Sequence, residues 1–149
     1  MAIQTNVTST RHASAVAVGV WMLLALAASL AGMAREWWLR PVIGELRAHQ
    51  AGTLLVCALF LAIIAVFVVR TKLSVRQALL IGISWLVGAV VFEFGVGHWV
   101  DHLSWSRLLA DYDLLHGRLL LLVWITVAFA PAVIASRESR LHRRSHDRT

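Results

Sequence analysis

Four apolar runs, at residues 15–34, 53–69, 78–95 and 119–135, leave this chain few ways to fold. Each is close to the ~20 residues that carry an α-helix across ~30 Å of hydrocarbon. Backbone N–H and C=O groups find no water there, so a spanning segment must be a helix or part of a closed barrel. The runs are continuous rather than alternating, which excludes the barrel. The expected fold is all-α, a four-transmembrane-helix bundle at 14–135 between tails at 1–13 and 136–149. Composition agrees: 59% of the 149 residues are hydrophobic and only 15% charged, a balance that does not suit a soluble domain. The first run, with Arg11 before it and Ala25, Leu26 and Ala27 within it, has features of a secretory signal. A signal core is ~7–15 residues long; this run is longer and is expected to stay as a helix. Cys57 is the single cysteine, so no intramolecular disulfide can form.

The net charge of +6 is unevenly spread. Arg137, Arg140, Arg143, Arg144 and Arg148, five of the fourteen basic residues, follow the fourth run. No aromatic residue is interleaved there for base stacking, so the tail reads as a contact for anionic lipids and not for nucleic acid. Four spans put the N-terminal tail, the 70–76 loop and the C-terminal tail on one side, with nine Lys and Arg residues. The other side holds five: Arg35, Arg40, Arg47, Arg107 and Arg118. The positive-inside rule then places both termini in the cytoplasm. The acids Glu36, Glu45, Glu93, Asp101, Asp111 and Asp113 gather on the outer side with His49, His98, His102 and His116.

Local signals refine the outline. The polar N-terminal tail, residues 1–12, is expected to be unstructured. Ala25/Ser29 and Ala28/Gly32 in the first span, and Ser84/Gly88 in the third, have the small-x-x-x-small spacing of close helix packing; the first and third spans should meet there. Trp37 and Trp38 suit the aromatic belt at a membrane boundary. Pro41 suits the first turn of a helix, so the second helix is expected to begin near it and to project a turn or two before its apolar core. Gly95 and Gly97 should loosen the end of the third helix. Trp105, Leu108, Leu109, Tyr112 and Leu115 then recur at helical spacing, predicting a short interfacial amphipathic helix over 104–116, with Arg107 and Asp111 one turn apart on its polar side. Pro131 should kink the fourth helix.

Three groups of residues could carry chemistry. Glu93 lies between Phe92 and Phe94 near the end of the third span. A carboxylate at that depth needs a cation or a proton; Arg118, and after it Arg47, are the expected partners. A structural ion pair and a proton- or substrate-binding role both fit, and Glu45, Arg47, Asp111 and Arg118 are the further candidates for ligand or proton binding. His98, Asp101 and His102 would share one face of a helix. They make half of a zinc site, which needs three or four ligands, to be completed by His49, Glu45, Asp111 or His116. Trp21, Trp85 and Trp124 lie within spans, where packing explains them more simply than a ligand pocket. No G-x-S-x-G or H-E-x-x-H motif is present, so no catalytic residue is assigned.

The outer loops carry a pattern of their own: Arg35, Glu36, Pro41, then Gly44 through Gln50 (Gly-Glu-Leu-Arg-Ala-His-Gln), then Phe92, Glu93, Phe94, Gly97, His98, then Ser104, Trp105, Leu108, Leu109, Asp111, Tyr112, Leu115, Gly117, Arg118 and Leu119. In this the chain resembles a family of small four-span bacterial inner-membrane proteins with no assigned activity. The resemblance covers about 35–131. It implies architecture and localisation in a bacterial inner membrane, and no activity. The resulting expectation is a non-enzymatic accessory or scaffold protein, possessing a polar outer cap that binds a ligand or a membrane-protein partner, or a second copy of itself. The alternatives are a small proton- or ion-coupled transporter using Glu93 and a metal-dependent membrane enzyme holding zinc at His98, Asp101 and His102.

Overall fold

The computed structural model describes residues 2–100, 102–110 and 118–146. Among the described residues it is 92% helix without strands. The helices are α1 (Ala2–Ala34), α2 (Arg40–Ile43), α3 (Glu45–Thr71), α4 (Val75–Gly95), α5 (Trp105–Ala110) and α6 (Leu120–His146), with π-helical turns at Arg35–Leu39 and Val96–Val100. Four stretches are long and apolar enough to cross a membrane: Ser14–Ile43, Glu45–Thr71, Val75–Val100 and Leu120–Leu141. The N-terminal residues expected to be unstructured continue α1 as helix from Ala2.

Large apolar side chains face outward along all four spans, among them Leu26, Leu55, Leu80, Val91 and Phe129. In water such a surface would drive aggregation; in lipid it costs nothing. The interior is built mainly by α3, α4 and α6, around Phe60, Ile64, Phe67, Val68, Ala78, Trp85, Val123 and Val127. Helix α6 packs most extensively on α4 and then on α3, while α1 lies chiefly against α3.

The first span meets the third through tryptophans rather than through the expected small-residue faces. The Trp21 indole N–H donates to the Trp85 carbonyl at 3.1 Å, and the Trp85 indole N–H donates to the Ala17 carbonyl at 3.0 Å. Gly88 leaves room for the Trp21 ring, whereas Ser84 is exposed and bonds back to Leu80. Backbones come closest elsewhere, between α4 and α6: a Cβ on Gly82 would lie 2.1 Å from the Ala128 carbonyl oxygen.

The first reversal also differs from expectation. Pro41 lies in α2, which prolongs the first span, and the chain turns at Gly44, whose φ of 81° favours glycine. The physical reason is the π-helical turn. Arg40 N–H donates to the Arg35 carbonyl five residues back, and Pro41, having no N–H, can follow without a lost hydrogen bond. The second reversal is short: Lys72 adopts a left-handed conformation and Ser74 forms a capping box with Gln77 at the start of α4. Beyond Gly95 the third helix widens into its own π-helical turn, and His102 has φ of 54°. Of the helix expected over 104–116, the structure describes Trp105–Ala110; Tyr112 and Leu115 lie outside the described residues. Helix α5 folds back on the third span. Leu108 packs on Gly97, and Trp105 stacks between Phe94 and His98 at ring distances of 5.9 and 4.4 Å. Helix α6 runs through Pro131, which is fully buried.

The α4–α6 contact generates a prediction. Gly82→Ala must push the two helices apart and should lower stability by ~1–3 kcal/mol, the usual range for overpacking. Gly19→Ala, which meets nothing within 4 Å, should leave stability unchanged. Unfolding of the purified protein in a neutral detergent measures both, and equal behaviour of the two variants would contradict the packing.

Candidate functional site

The spans line a half-open cavity of about 360 Å³ at the end that carries Arg35, His49, Gly97 and Leu120. One wall is a stripe of α1: Trp21, Leu24, Ala28, Ala31 and, beyond its end, Arg35. The other walls come from α3 (His49, Gly52, Thr53, Val56), from the third span (Phe92, Glu93, Gly97) and from α6 (Val123, Trp124, Val127). The lining is mostly apolar, with Ser29, Arg35, His49, Thr53 and Glu93 as its polar residues, and its mouth is the end at Arg35 and His49. Beside that mouth lies a smaller polar cleft of about 80 Å³ lined by Arg35, Glu36, Arg40, Glu45, His49, Arg107 and Arg118. Arg35 and His49 belong to both.

His49 organises the boundary. It is 2% exposed and sits in the second turn of α3. Arg35 Nη1 is 2.8 Å from its Nδ1, and the Leu119 N–H donates to its Nε2 at 3.2 Å. A guanidinium only donates, and a neutral imidazole has one acceptor nitrogen. The ring therefore accepts fully from one of these donors in each tautomer. The shorter, charge-assisted contact is the stronger and sets Nδ1 as acceptor. Gly52, one turn further along α3, gives the Arg35 stem its passage: a Cβ there would lie 3.3 Å from Arg35 Cδ.

The cleft holds the described ion pairs. Arg118 Nη2 reaches Glu45 Oε1 at 2.9 Å, Arg40 reaches Glu45 Oε2 at 3.6 Å, and Arg40 also pairs with Glu36 one turn before it. Glu45 thus joins the starts of α3 and α6 to the end of the first span. All but Arg118 are substantially exposed, so solvent screens these pairs and each adds little to stability. Four arginines face two carboxylates in the cleft. Among the described residues, neither Arg35 nor Arg107 forms an ion pair.

The candidates read from the sequence do not form one cluster. Glu45 and Arg118 come together in the cleft. Glu93 lines the cavity and is half-buried; the cation expected for it, Arg118, has its described ion pair with Glu45. Arg47 is exposed and lines neither space. Asp101 and Asp111 lie outside the described residues. The shared helix face proposed for His98, Asp101 and His102 is not formed by the two histidines, because the helical turn ends at Val100 and His102 turns away with a positive φ. His98 instead stacks on Trp105 and places Nδ1 3.0 Å from the Leu103 carbonyl oxygen. Among the described residues no group of three or more His, Cys, Asp or Glu side chains could hold a metal ion. Arg35 was read from the sequence only among the outer-side basic residues and in the outer-loop pattern. Its signal was available: an ionisable residue at the end of an apolar stripe is a functional candidate by default.

The chain matches no known family model, no curated protein and no solved structure.

The geometry separates two polar contacts by cost. His49→Phe removes a buried acceptor and strands a donor, which should lower stability by ~1–3 kcal/mol. Glu45→Gln weakens screened, exposed pairs and should cost clearly less than His49→Phe. Unfolding in neutral detergent measures both, and the reverse order would show that the cleft, not His49, holds this end together.

Proposed function

We propose that this is a non-enzymatic, multi-pass protein of a bacterial inner membrane that binds an amphiphilic small molecule between its spans. The observation that carries the reading is the joined pair of spaces, an apolar cavity ending at a cluster of arginines. A cavity of 360 Å³ is at the small end of the ~300–1,000 Å³ range of ligand pockets. Its apolar lining with a few polar groups at one end is the usual pattern of such sites. The four spans form one bundle, with both termini cytoplasmic, as the nine-to-five division of basic residues argues. The cavity mouth and the cleft then face outward, under a cap to which the interfacial helix around Trp105 contributes. On the cytoplasmic side, α6 carries the arginine-rich tail toward anionic lipid headgroups. A membrane-protein partner or a second copy could meet the cap without using the cavity.

Glu93 in the cavity wall favours a second reading, a small proton- or ion-coupled transporter in which this carboxylate takes up the coupled ion. Flux into proteoliposomes that disappears in Glu93→Gln, with stability unchanged, would favour it over simple binding.

Two measurements test the main reading. Reporter fusions at the C-terminus should behave as cytoplasmic; a periplasmic signal would turn the cap to the other side. In neutral detergent, ω-bromododecanoate or ω-bromododecanol should quench tryptophan fluorescence saturably, since Trp21 and Trp124 line the cavity. Ala28→Phe, which fills the cavity, should abolish the saturable part. Quenching that never saturates, or that Ala28→Phe leaves intact, would mean that no ligand enters between the spans.

A further inference from the structure

We propose that the cavity and the arginine cleft are one site for a single-chain anionic amphiphile, whose carboxylate or phosphate head lies on Arg35 and Arg107 while its hydrocarbon chain fills the cavity. This deepens the binding reading above and rests on it. The argument begins with Arg35. It is half-buried within a candidate membrane span, where a charged side chain requires a counter-charge or good hydrogen bonds. It forms no ion pair among the described residues; its partner is the His49 ring. An imidazole cannot neutralise a guanidinium.

That contact is also a compromise. While Nδ1 accepts from Arg35, the single proton of a neutral ring sits on Nε2 and faces the Leu119 N–H, which itself needs an acceptor. An anionic head group drawing Arg35 away removes the conflict. The proton moves to Nδ1, Nε2 accepts from Leu119, and the guanidinium gains a bidentate acid. With the head group accepting from both the Arg35 guanidinium and the new Nδ1–H, Arg35, His49, Leu119 and the head group would then all be satisfied.

The surroundings agree in charge and shape. The cleft has two arginines more than carboxylates, and the joined site still has one more when Glu93 of the cavity wall is counted. Arg40 and Arg118 are engaged with Glu36 and Glu45, whereas Arg35 and Arg107 form no ion pair among the described residues. The Arg35 stem crosses Gly52 at the cavity mouth, so a group held by its guanidinium has its tail pointed to the apolar stripe of Ala28, Ala31 and Leu24.

The test compares ω-bromododecanoate with ω-bromododecanol, which share a chain and differ in the head. In neutral detergent the carboxylate should bind about ten- to a hundredfold more tightly by tryptophan quenching, the value of hydrogen bonds to charged groups. Arg35→Gln should reduce that preference to near unity while the alcohol binds as before. Arg107→Gln, on a short exposed helix, should reduce it several-fold and decides the matter if Arg35→Gln does not fold. Acetate at the same concentration should displace neither probe. Equal binding of the two probes would overturn the anionic head group and leave the cavity reading standing. So would a carboxylate preference that survives in both variants. Displacement by acetate would overturn the amphiphile in favour of a small anion. Saturable binding by neither probe would sink this proposal together with the binding reading.

Discussion

One imidazole holds three of the four spans together at the end that carries Arg35 and Leu120. His49 is buried, belongs to α3, meets Arg35 from the first span and sets its Nε2 3.2 Å from the Leu119 nitrogen at the start of the fourth. A polar ring so deeply buried is tolerable only when its nitrogens are engaged. The position of His49 therefore fixes how far Arg35 leans in and where α6 begins. Gly52 allows the geometry, since any larger residue would meet the Arg35 stem. The cleft ion pairs sit on top of this arrangement and add orientation more than energy.

Below the cap, lipid gives helices little hydrophobic reason to associate, so close packing and interhelical hydrogen bonds decide the arrangement. Gly82 against Ala128 brings α4 and α6 into backbone contact, and the paired indoles of Trp21 and Trp85 join the first and third spans. Nothing comparable closes the gap beside Ala28, Ala31 and Gly32. These side chains are too short to fill it, and Phe60, Phe92 and Trp124 line it from the other spans. The cavity is what remains when a small-residue stripe meets no equally close neighbour.

This explains what could be read from the sequence and what could not. The four spans were legible because continuous apolar runs of spanning length admit one solution in lipid. The boundary tryptophans were legible from their place at span ends: Trp37, Trp38 and Trp99 are among the most exposed side chains. The small-residue stripe of α1 was visible too, but its use was not. Spacing identifies a face that allows close approach without saying that a partner takes it. Topology set Arg118, Glu93 and Glu45 at the same end without choosing between the carboxylates; the described ion pair of Arg118 is with Glu45. His98 and His102 looked like one helix face because i, i+4 spacing assumes an α-helix, which the π-helical turn at Val96–Val100 and the reversal at His102 replace. His49 carried no local signal, since its partners lie 14 and 70 residues away.

The π-helical turn after α1 completes the argument for how a single cation becomes a cleft. In a straight helix the stripe of Trp21, Leu24, Ala28, Ala31 and Arg35 would continue to Leu39. A π-helical turn contains one residue more, which rotates the following residues by roughly 100°. Arg40, not Leu39, then stands one turn above Arg35, to whose carbonyl its N–H is bonded. From there it reaches Glu36 and Glu45. Trp37 and Trp38 are carried to the outside, where their rings belong at a membrane boundary. The opposite wall uses the same device: the π-helical turn at Val96–Val100 sets Gly97 beneath Leu108 and so brings Arg107 to the cleft. Both widened turns sit where the apolar cavity meets charge, and each delivers an arginine to that border. A straight first span would end its stripe in leucine and leave Arg35 as a lone charge against hydrocarbon.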